Sequence, residues 1–199
     1  MSVDVRLGTI DLNMPIESAL VILIPEAEDS VESFRIKYDP QAALGVPAHV
    51  TILYPFKSPR ELTAEVIRTL EELFSKFPGF DVSFSESGRF PGVLYLSPAP
   101  DEMLRRLTKI VAKHFPETQP YRGQFTDVIP HLTIAQVGDP QQLDKIAADF
   151  ERTVRGHLQI QSSVKEVALM DNESGRWKVR MRFPLSRDFD SGSVASARL

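Results

Sequence analysis

The sequence predicts an α+β fold: two pseudo-symmetric lobes, each of antiparallel sheet and helix, around a central cleft. Three observations carry that expectation. Two stretches, Arg60–Phe77 and Asp101–Phe115, place apolar residues at helical spacing. Phe80, Val82 and Phe84 alternate with polar residues, which is the period of a strand. A short strand bearing His-x-Thr, followed by a helix and two strands, occurs once around His49 and again 82 positions later around His131. That interval is too long for a solenoid repeat and fits two duplicated lobes.

The elements follow in order. Ala19–Pro25 (ALVILIP) reads as a strand buried on both faces. Asp29–Tyr38 reads as a helix capped by Asp29 or Ser30. His49–Leu53 (HVTIL) is a short strand ended by Pro55. The helix at 60–77 buries Leu62, Val66, Leu70, Leu73 and Phe77 and stops at Pro78-Gly79. Phe80–Ser85 and Val93–Leu96 are strands joined through Pro91-Gly92 as a hairpin. The helix at 101–115 begins with Asp101 and Glu102, which suit its positive end. Val128–Val137 contains a strand, and Gln141–Val154 is a helix. Ser163–Met170 and Arg176–Phe183 are strands joined by a turn at 172–175. The domain plan is an N-terminal extension at 1–18, one bilobal domain at 19–185 and a disordered Ser- and Ala-rich tail at 186–199.

Composition excludes several classes. The 199 residues are 42% hydrophobic and 25% charged, as in ordinary globular chains. A chain this long buries roughly 70% of its unfolded surface and needs no staple. There is no cysteine, which removes disulfides, thiolate metal sites and cysteine nucleophiles. The opening residues lack a basic segment followed by a long apolar core, so no signal peptide is expected. No apolar run is long enough for a bilayer. A cytoplasmic monomer is therefore expected. The net charge of −4 argues against wrapping long nucleic acid, because phosphate neutralisation supplies most of that affinity. A site gripping one or two phosphates remains open.

Chemistry concentrates in Ala48-His49-Val50-Thr51-Ile52 and Pro130-His131-Leu132-Thr133-Ile134. Residues two apart in a strand share a face, so each His and its Thr point one way and the apolar residues the other. At about 3.3 Å per residue the pair stands roughly 6.6–7 Å apart and can converge on one phosphate. Two such strands supply two imidazoles and two hydroxyls. A neutral imidazole can take a proton from a nucleophile while a protonated one gives a proton to the leaving oxygen. The hydroxyls can hold the non-bridging oxygens. That two of the four histidines carry Thr two residues on is about a one-in-a-hundred coincidence. No His-x-His or His-Glu-x-x-His occurs, and neither metal nor cofactor is expected.

These motifs resemble the 2H phosphoesterase superfamily, within it the 2′-5′ RNA ligase-like and cyclic phosphodiesterase branch. The matching text is Pro47–Phe56, Arg89–Leu96 and Pro130–Ala135, and the resemblance spans roughly 19–184. It implies a bilobal fold, His49 and His131 as acid–base pair, and Thr51 and Thr133 as phosphate-binding hydroxyls. It implies a metal-independent phosphoesterase acting on a 2′,3′-cyclic phosphate or 2′-5′ linkage of RNA ends or nucleotides. Some members instead join RNA ends by a 2′-5′ bond. A non-catalytic module holding a nucleotide or RNA end, and an interaction domain with coincidental motifs, stay open.

Further candidates lie outside the motifs. Tyr121 or Phe125 can stack a base and Arg122 can touch a phosphate, although loop aromatics also pack as lids. Phe56 is a weaker substrate-contact candidate, and core edge is the default reading for it and for Phe90. Arg176, Lys178, Arg180 and Arg182 alternate along a strand, giving one cationic face that either lines the cleft or is solvated. His114 suits terminal helix carbonyls, and His157 reads as a surface residue.

Overall fold

The structure is a computed structural model that describes residues 15–123, 128–156 and 158–187. Two four-stranded antiparallel sheets form its frame. The first has the order β2-β1-β7-β8 and the second β5-β4-β3-β6. The strands are β1 (Ser18–Leu23), β2 (His49–Leu53), β3 (Phe80–Phe90), β4 (Val93–Ala99), β5 (Leu132–Gln136), β6 (Ile160–Val164), β7 (Glu166–Asp171) and β8 (Lys178–Pro184). The helices are α1 (Glu28–Tyr38), α2 (Pro40–Ala43), α3 (Ala64–Ser75), α4 (Glu102–His114) and α5 (Pro140–Thr153).

The expected bilobal α+β architecture is present, with three differences in detail. The strand expected at 163–170 is two strands. Residues 160–164 pair with β3 in the second sheet, and residues 166–171 pair with β1 in the first. Lys165 is the step between sheets, so an unbroken apolar-rich stretch hides a change of partner. The sheets are therefore assembled from interleaved segments, the first holding both the N-terminal and C-terminal strands. The helix expected at 60–77 is a 3₁₀ turn at Pro59–Glu61 followed by α3. The Glu61 carboxylate accepts from the Ser58 amide at 3.0 Å, and Thr63 caps α3 by accepting from the Val66 amide at 3.3 Å. Two local caps thus divide one apolar periodicity.

The third difference concerns the basic strand. Ala168 pairs with Arg182 and Met170 with Val179, so a bulge at Arg180 breaks the alternation. Arg182 then shares a face with Val179, and the four cations do not form one face. Arg180 bonds Asp171 at 3.3 Å, Arg182 pairs with Glu166, and Arg176 lies over Gly45.

The helices cross between lobes. α1 follows β1 of the first sheet but packs on β5 of the second, while α4 follows β4 of the second but packs on β2 of the first. Phe34 of α1 meets Phe150 of α5 at 5.3 Å, and Phe74 of α3 meets Phe183 of β8 at 5.5 Å. One continuous core results, including Leu20, Ile22, Val50, Ile52, Leu132 and Ile134. The apolar partners of the two His-x-Thr motifs are thus anchored in the same core. A smaller cluster of Ala19, Val21, Val46, Met170 and Trp177 covers the opposite face of the first sheet.

Ser186 bonds Phe77 and Gly79 through its backbone at 2.8 and 3.2 Å, so pairing continues past residue 185. The remainder of the expected tail, residues 188–199, and most of the extension, residues 1–14, lie outside the described residues. Phe125 and His157 do as well. Among the described residues no helix is long and apolar enough to cross a membrane.

Candidate active site

Strands β2 and β5 are the edge strands of their sheets and lie next to each other. A cleft of about 760 Å³ opens between the lobes, lined by His49, Thr51, His131 and Thr133 together. That volume lies within the usual range for small-molecule sites. The expectation that both motifs face one cavity agrees with this placement.

The two imidazoles are held alike. His49 Nδ1 donates to the Pro47 carbonyl at 2.8 Å, and His131 Nδ1 donates to the Ile129 carbonyl at 2.8 Å. A carbonyl only accepts, so Nδ1 carries the proton and Nε2 is the unprotonated nitrogen of each neutral ring. The segment before His49 is strapped on both sides: the Ala48 amide donates to Glu28 at 2.6 Å, and the Ile24 amide donates to the Ala48 carbonyl at 2.8 Å. Before His131, the Arg105 guanidinium holds the Val128 carbonyl at 3.2 Å.

Electrostatics separates the pair. Burial pushes the His49 pKa down to about 4, and the neighbouring Arg35 and His131 push the same way, against the Pro47 bond and Asp39. Burial also lowers His131, opposed by its bond to Ile129. Both rings are neutral at pH 7 in the free protein.

The surroundings of the two motifs differ. Around His131, Phe90 stacks on Tyr95 at 4.3 Å, and both rings approach the imidazole edge-on at 5.2 and 5.5 Å. Tyr95 lies flat across β3 because Gly88 has no side chain; a Cβ there would sit 2.5 Å from the ring. Near His49, the Arg35 guanidinium binds Asp39 at 2.9 and 3.1 Å and the Val46 carbonyl at 3.0 Å. Both charged residues are at most 3% exposed, yet Asp39 reaches the cleft wall.

Tyr121 lines the cleft and its phenol hydrogen-bonds with Thr51. Tyr121 and Arg122 both adopt left-handed backbone, at φ 50° and 56°. For side-chain-bearing residues this costs on the order of 1–2 kcal/mol each, so neighbouring bonds must enforce it. The Tyr121 amide donates to the Tyr54 carbonyl at 2.7 Å. The Glu17 carboxylate accepts from Arg122 and from the Tyr54 hydroxyl, each at 2.6 Å. Burial and that bond push the Tyr54 pKa up to about 12. Glu17 is itself fixed to Asn172, which accepts from its amide at 2.8 Å.

Of the sequence candidates, His49, Thr51, Tyr121, His131 and Thr133 come together. Arg122 does not line the cleft and is bound to Glu17 at the loop. Phe56 is corrected: its ring is buried in the core at 5% exposure, 5.1 Å from Phe115, away from the cleft. Phe90, read as core edge, lines the cleft beside His131. His114 bonds the Ile110 carbonyl at 2.9 Å, as its helix-end position suggests. Sequence reasoning missed the wall of Val21, Val46, Met170 and Trp177. The only Trp on an alternating strand was the available signal for it. Among the described residues no group of three His, Asp or Glu side chains converges as a metal requires.

The profile of the 2′-5′ RNA ligase superfamily matches residues 24–176, most of the chain. The chain belongs to that superfamily. Among curated relatives, a Bacillus pumilus protein named "putative phosphoesterase" is 29% identical over 182 residues, covering 84% of this chain and 97% of its own length. A Bacillus licheniformis protein of the same description is 26% identical over 176 residues, covering 83% and 96%. Among solved structures, Escherichia coli LigT complexed with 3′-AMP has a TM-score of 0.58 at 17% identity, covering 87% of this chain and 100% of that one. A Thermus thermophilus protein gives 0.58 at 16%, covering 86% and 99%. The fold is thus shared with LigT.

Proposed function

We propose that the protein is a metal-independent phosphoesterase that opens 2′,3′-cyclic phosphates or cleaves 2′-5′ linkages of nucleotides or RNA ends. The observation that carries this reading is the convergence of two imidazoles and two threonine hydroxyls on one cleft. Each imidazole is aimed by the same bond from Nδ1 to the carbonyl two residues before it.

A phosphodiester bound between the strands would accept hydrogen bonds from Thr51 and Thr133 on its non-bridging oxygens. One imidazole Nε2 would take a proton from water as the water oxygen attacks phosphorus. The other, protonated at Nε2, would donate to the ribose oxygen as the P–O bond breaks, leaving a phosphomonoester. The lower pKa of His49 favours the singly protonated form with its proton on His131. His49 is then the base and His131 the acid for cyclic phosphate opening, and the roles exchange in the reverse, bond-forming direction. The bound anion raises both pKa values and so helps load the acid. Acid–base help of this kind supplies about 10²–10⁴-fold.

Incubation of the protein with a short RNA ending in 2′,3′-cyclic phosphate, in EDTA, tests the reading against the His49→Ala/His131→Ala variant. Opening by the wild type alone is expected. Equal opening by both proteins, or loss of opening in EDTA, overturns it.

A further inference from the structure

We infer that Arg176, seated at the rim of the cleft, binds a second phosphate on the 5′ side of the substrate. The protein then prefers a nucleotide or RNA end carrying that phosphate over a bare nucleoside cyclic phosphate. The inference rests on the functional reading above and narrows its substrate class.

The turn between β7 and β8 brings Arg176 to this rim. The Trp177 amide donates to the Leu44 carbonyl at 2.9 Å, and Ser174 Oγ donates to the Arg176 carbonyl at 3.3 Å. The turn can approach because residue 45 is glycine. Gly45 has φ +97°, and a Cβ there would stand 3.1 Å from the Trp177 carbonyl oxygen and 3.4 Å from Arg176 Nη2. The guanidinium therefore lies against the Gly45 backbone. Val46 and Trp177, the next residues along each segment, line the cleft, and Arg176 stands just outside that wall. It can meet the part of a ligand that leaves the cleft, away from the phosphorus under attack.

Arg176 is exposed, and its charge is uncommitted. The carboxylates of its own turn are taken by another cation, since Arg180 holds Asp171 at 3.3 Å and Glu173 at 3.7 Å. Among the described residues no carboxylate pairs with Arg176. Its planar fork can take two oxygens of one phosphate. Two neutral donors stand beside it. The Gln41 carbonyl accepts from the Val46 amide at 3.0 Å, which keeps this cleft-lining residue next to Gly45. Trp177 is 7% exposed, and its Nε1 is a buried donor without a partner among the described residues. Such a donor is costly until an acceptor reaches it.

The wall leads from the histidines to this rim. Val21 pairs with Thr51 on β2, and Val46 adjoins Gly45. Gly45 precedes His49 by four residues, so their backbones are at most about 14 Å apart. A nucleotide laid along that wall, its 2′,3′ end at the histidines, carries its 5′ oxygen towards Arg176.

Three substrates test the inference at constant ionic strength: adenosine 2′,3′-cyclic phosphate, its 5′-phosphorylated form, and an adenosine dinucleotide ending in the cyclic phosphate. The wild type should open at least one of the latter two with a kcat/KM about three- to tenfold above that of the first. The phosphorylated form and the dinucleotide distinguish a free nucleotide from an RNA end as the source. Arg176→Gln should bring the ratio to about one, through KM with kcat little changed. Arg182→Gln, which removes a cation already paired with Glu166, should keep the ratio. No preference in the wild type, or a preference that survives Arg176→Gln, overturns the inference and leaves the phosphoesterase reading intact. If none of the three is opened, the functional reading has failed. Calorimetry with adenosine 3′,5′-bisphosphate and 3′-AMP then decides the phosphate subsite. Tighter binding of the bisphosphate that is lost in Arg176→Gln supports it, and the same ratio in both proteins overturns it.

Discussion

Replacing Gly88 by Ala tests how the second motif is held. Gly88 lies on β3 opposite Tyr95, and a Cβ there would stand 2.5 Å from the Tyr95 Cζ and 2.6 Å from its oxygen. Ordinary contact begins at 3.4 Å, so the ring must withdraw by about 0.9 Å. It cannot do so freely, because Phe90 stacks on it at 4.3 Å and His131 abuts it at 5.5 Å. Losing the stack costs about 0.5–1.5 kcal/mol, and overpacking about 1–3 kcal/mol. A gain of about 0.5–1 kcal/mol opposes these, because Ala restricts the unfolded chain and Gly88 has no positive φ that would forbid it. The net is a destabilisation of about 0.5–4 kcal/mol, or about 1–16 °C in Tm for a chain of this size. Since Tyr95 supports His131, kcat should fall severalfold with KM little changed. Thermal melts of Gly88→Ala are compared in the wild-type and Tyr95→Ala backgrounds. Without the ring, the same substitution should turn stabilising. An Ala that raises Tm in both backgrounds, or lowers it equally in both, would refute the packing argument.

The pH dependence of kcat/KM should peak below 6.5, since the singly protonated His pair is most populated between about 4 at His49 and the lowered value at His131. Activity falls through His49 on the acid side and His131 on the alkaline side; a peak above pH 7 in initial-rate assays would contradict it. Because both folded values are depressed, their contribution to stability is present above the unfolded pKa near 6.5 and is lost as pH falls towards 4, which urea melts across that interval measure. Glu17→Gln should free Arg122 and loosen Tyr121, raising KM severalfold with a smaller change in kcat and in Tm. Steady-state kinetics in which kcat and Tm collapse together would show Glu17 to be merely structural. Arg35→Leu should cost about 3–5 kcal/mol in urea unfolding by stranding the Asp39 carboxylate, and adding Asp39→Leu should restore much of it.

Much of the lobe structure was legible because local chemistry fixes it. The α4 and α5 helices match their apolar periodicities within a residue or two, and parity alone placed His49 with Thr51 and His131 with Thr133. What the sequence did not reveal depends on partners far along the chain. Nothing local distinguishes the Lys165 step between sheets from an ordinary strand residue. The Arg180 bulge is defined by pairing with β7, so alternation in β8 read as a continuous basic face. Glu17 gains its role from Arg122, 105 positions away. Phe56 lies seven positions after His49 and Phe90 lies 41 positions before His131, and only the fold sends the first to the core and the second to the cleft.

The repeated frame and its unequal surroundings together suit acid–base chemistry. Equivalent edge strands and equivalent bonds to the preceding carbonyl give His49 and His131 the same tautomer and comparable aim. Identical environments would give similar pKa values, leaving neither ring committed to giving or taking the proton. This chain breaks the equivalence with residues outside the motifs. Burial lowers both rings, the Arg35 charge adds to it at His49, and Phe90 and Tyr95 surround His131. The crossing of α1 and α4 between lobes ties both environments to one core, so the edge strands cannot separate without opening it. The pair can therefore keep different proton affinities at a fixed spacing, which proton transfer on both sides of one phosphorus requires.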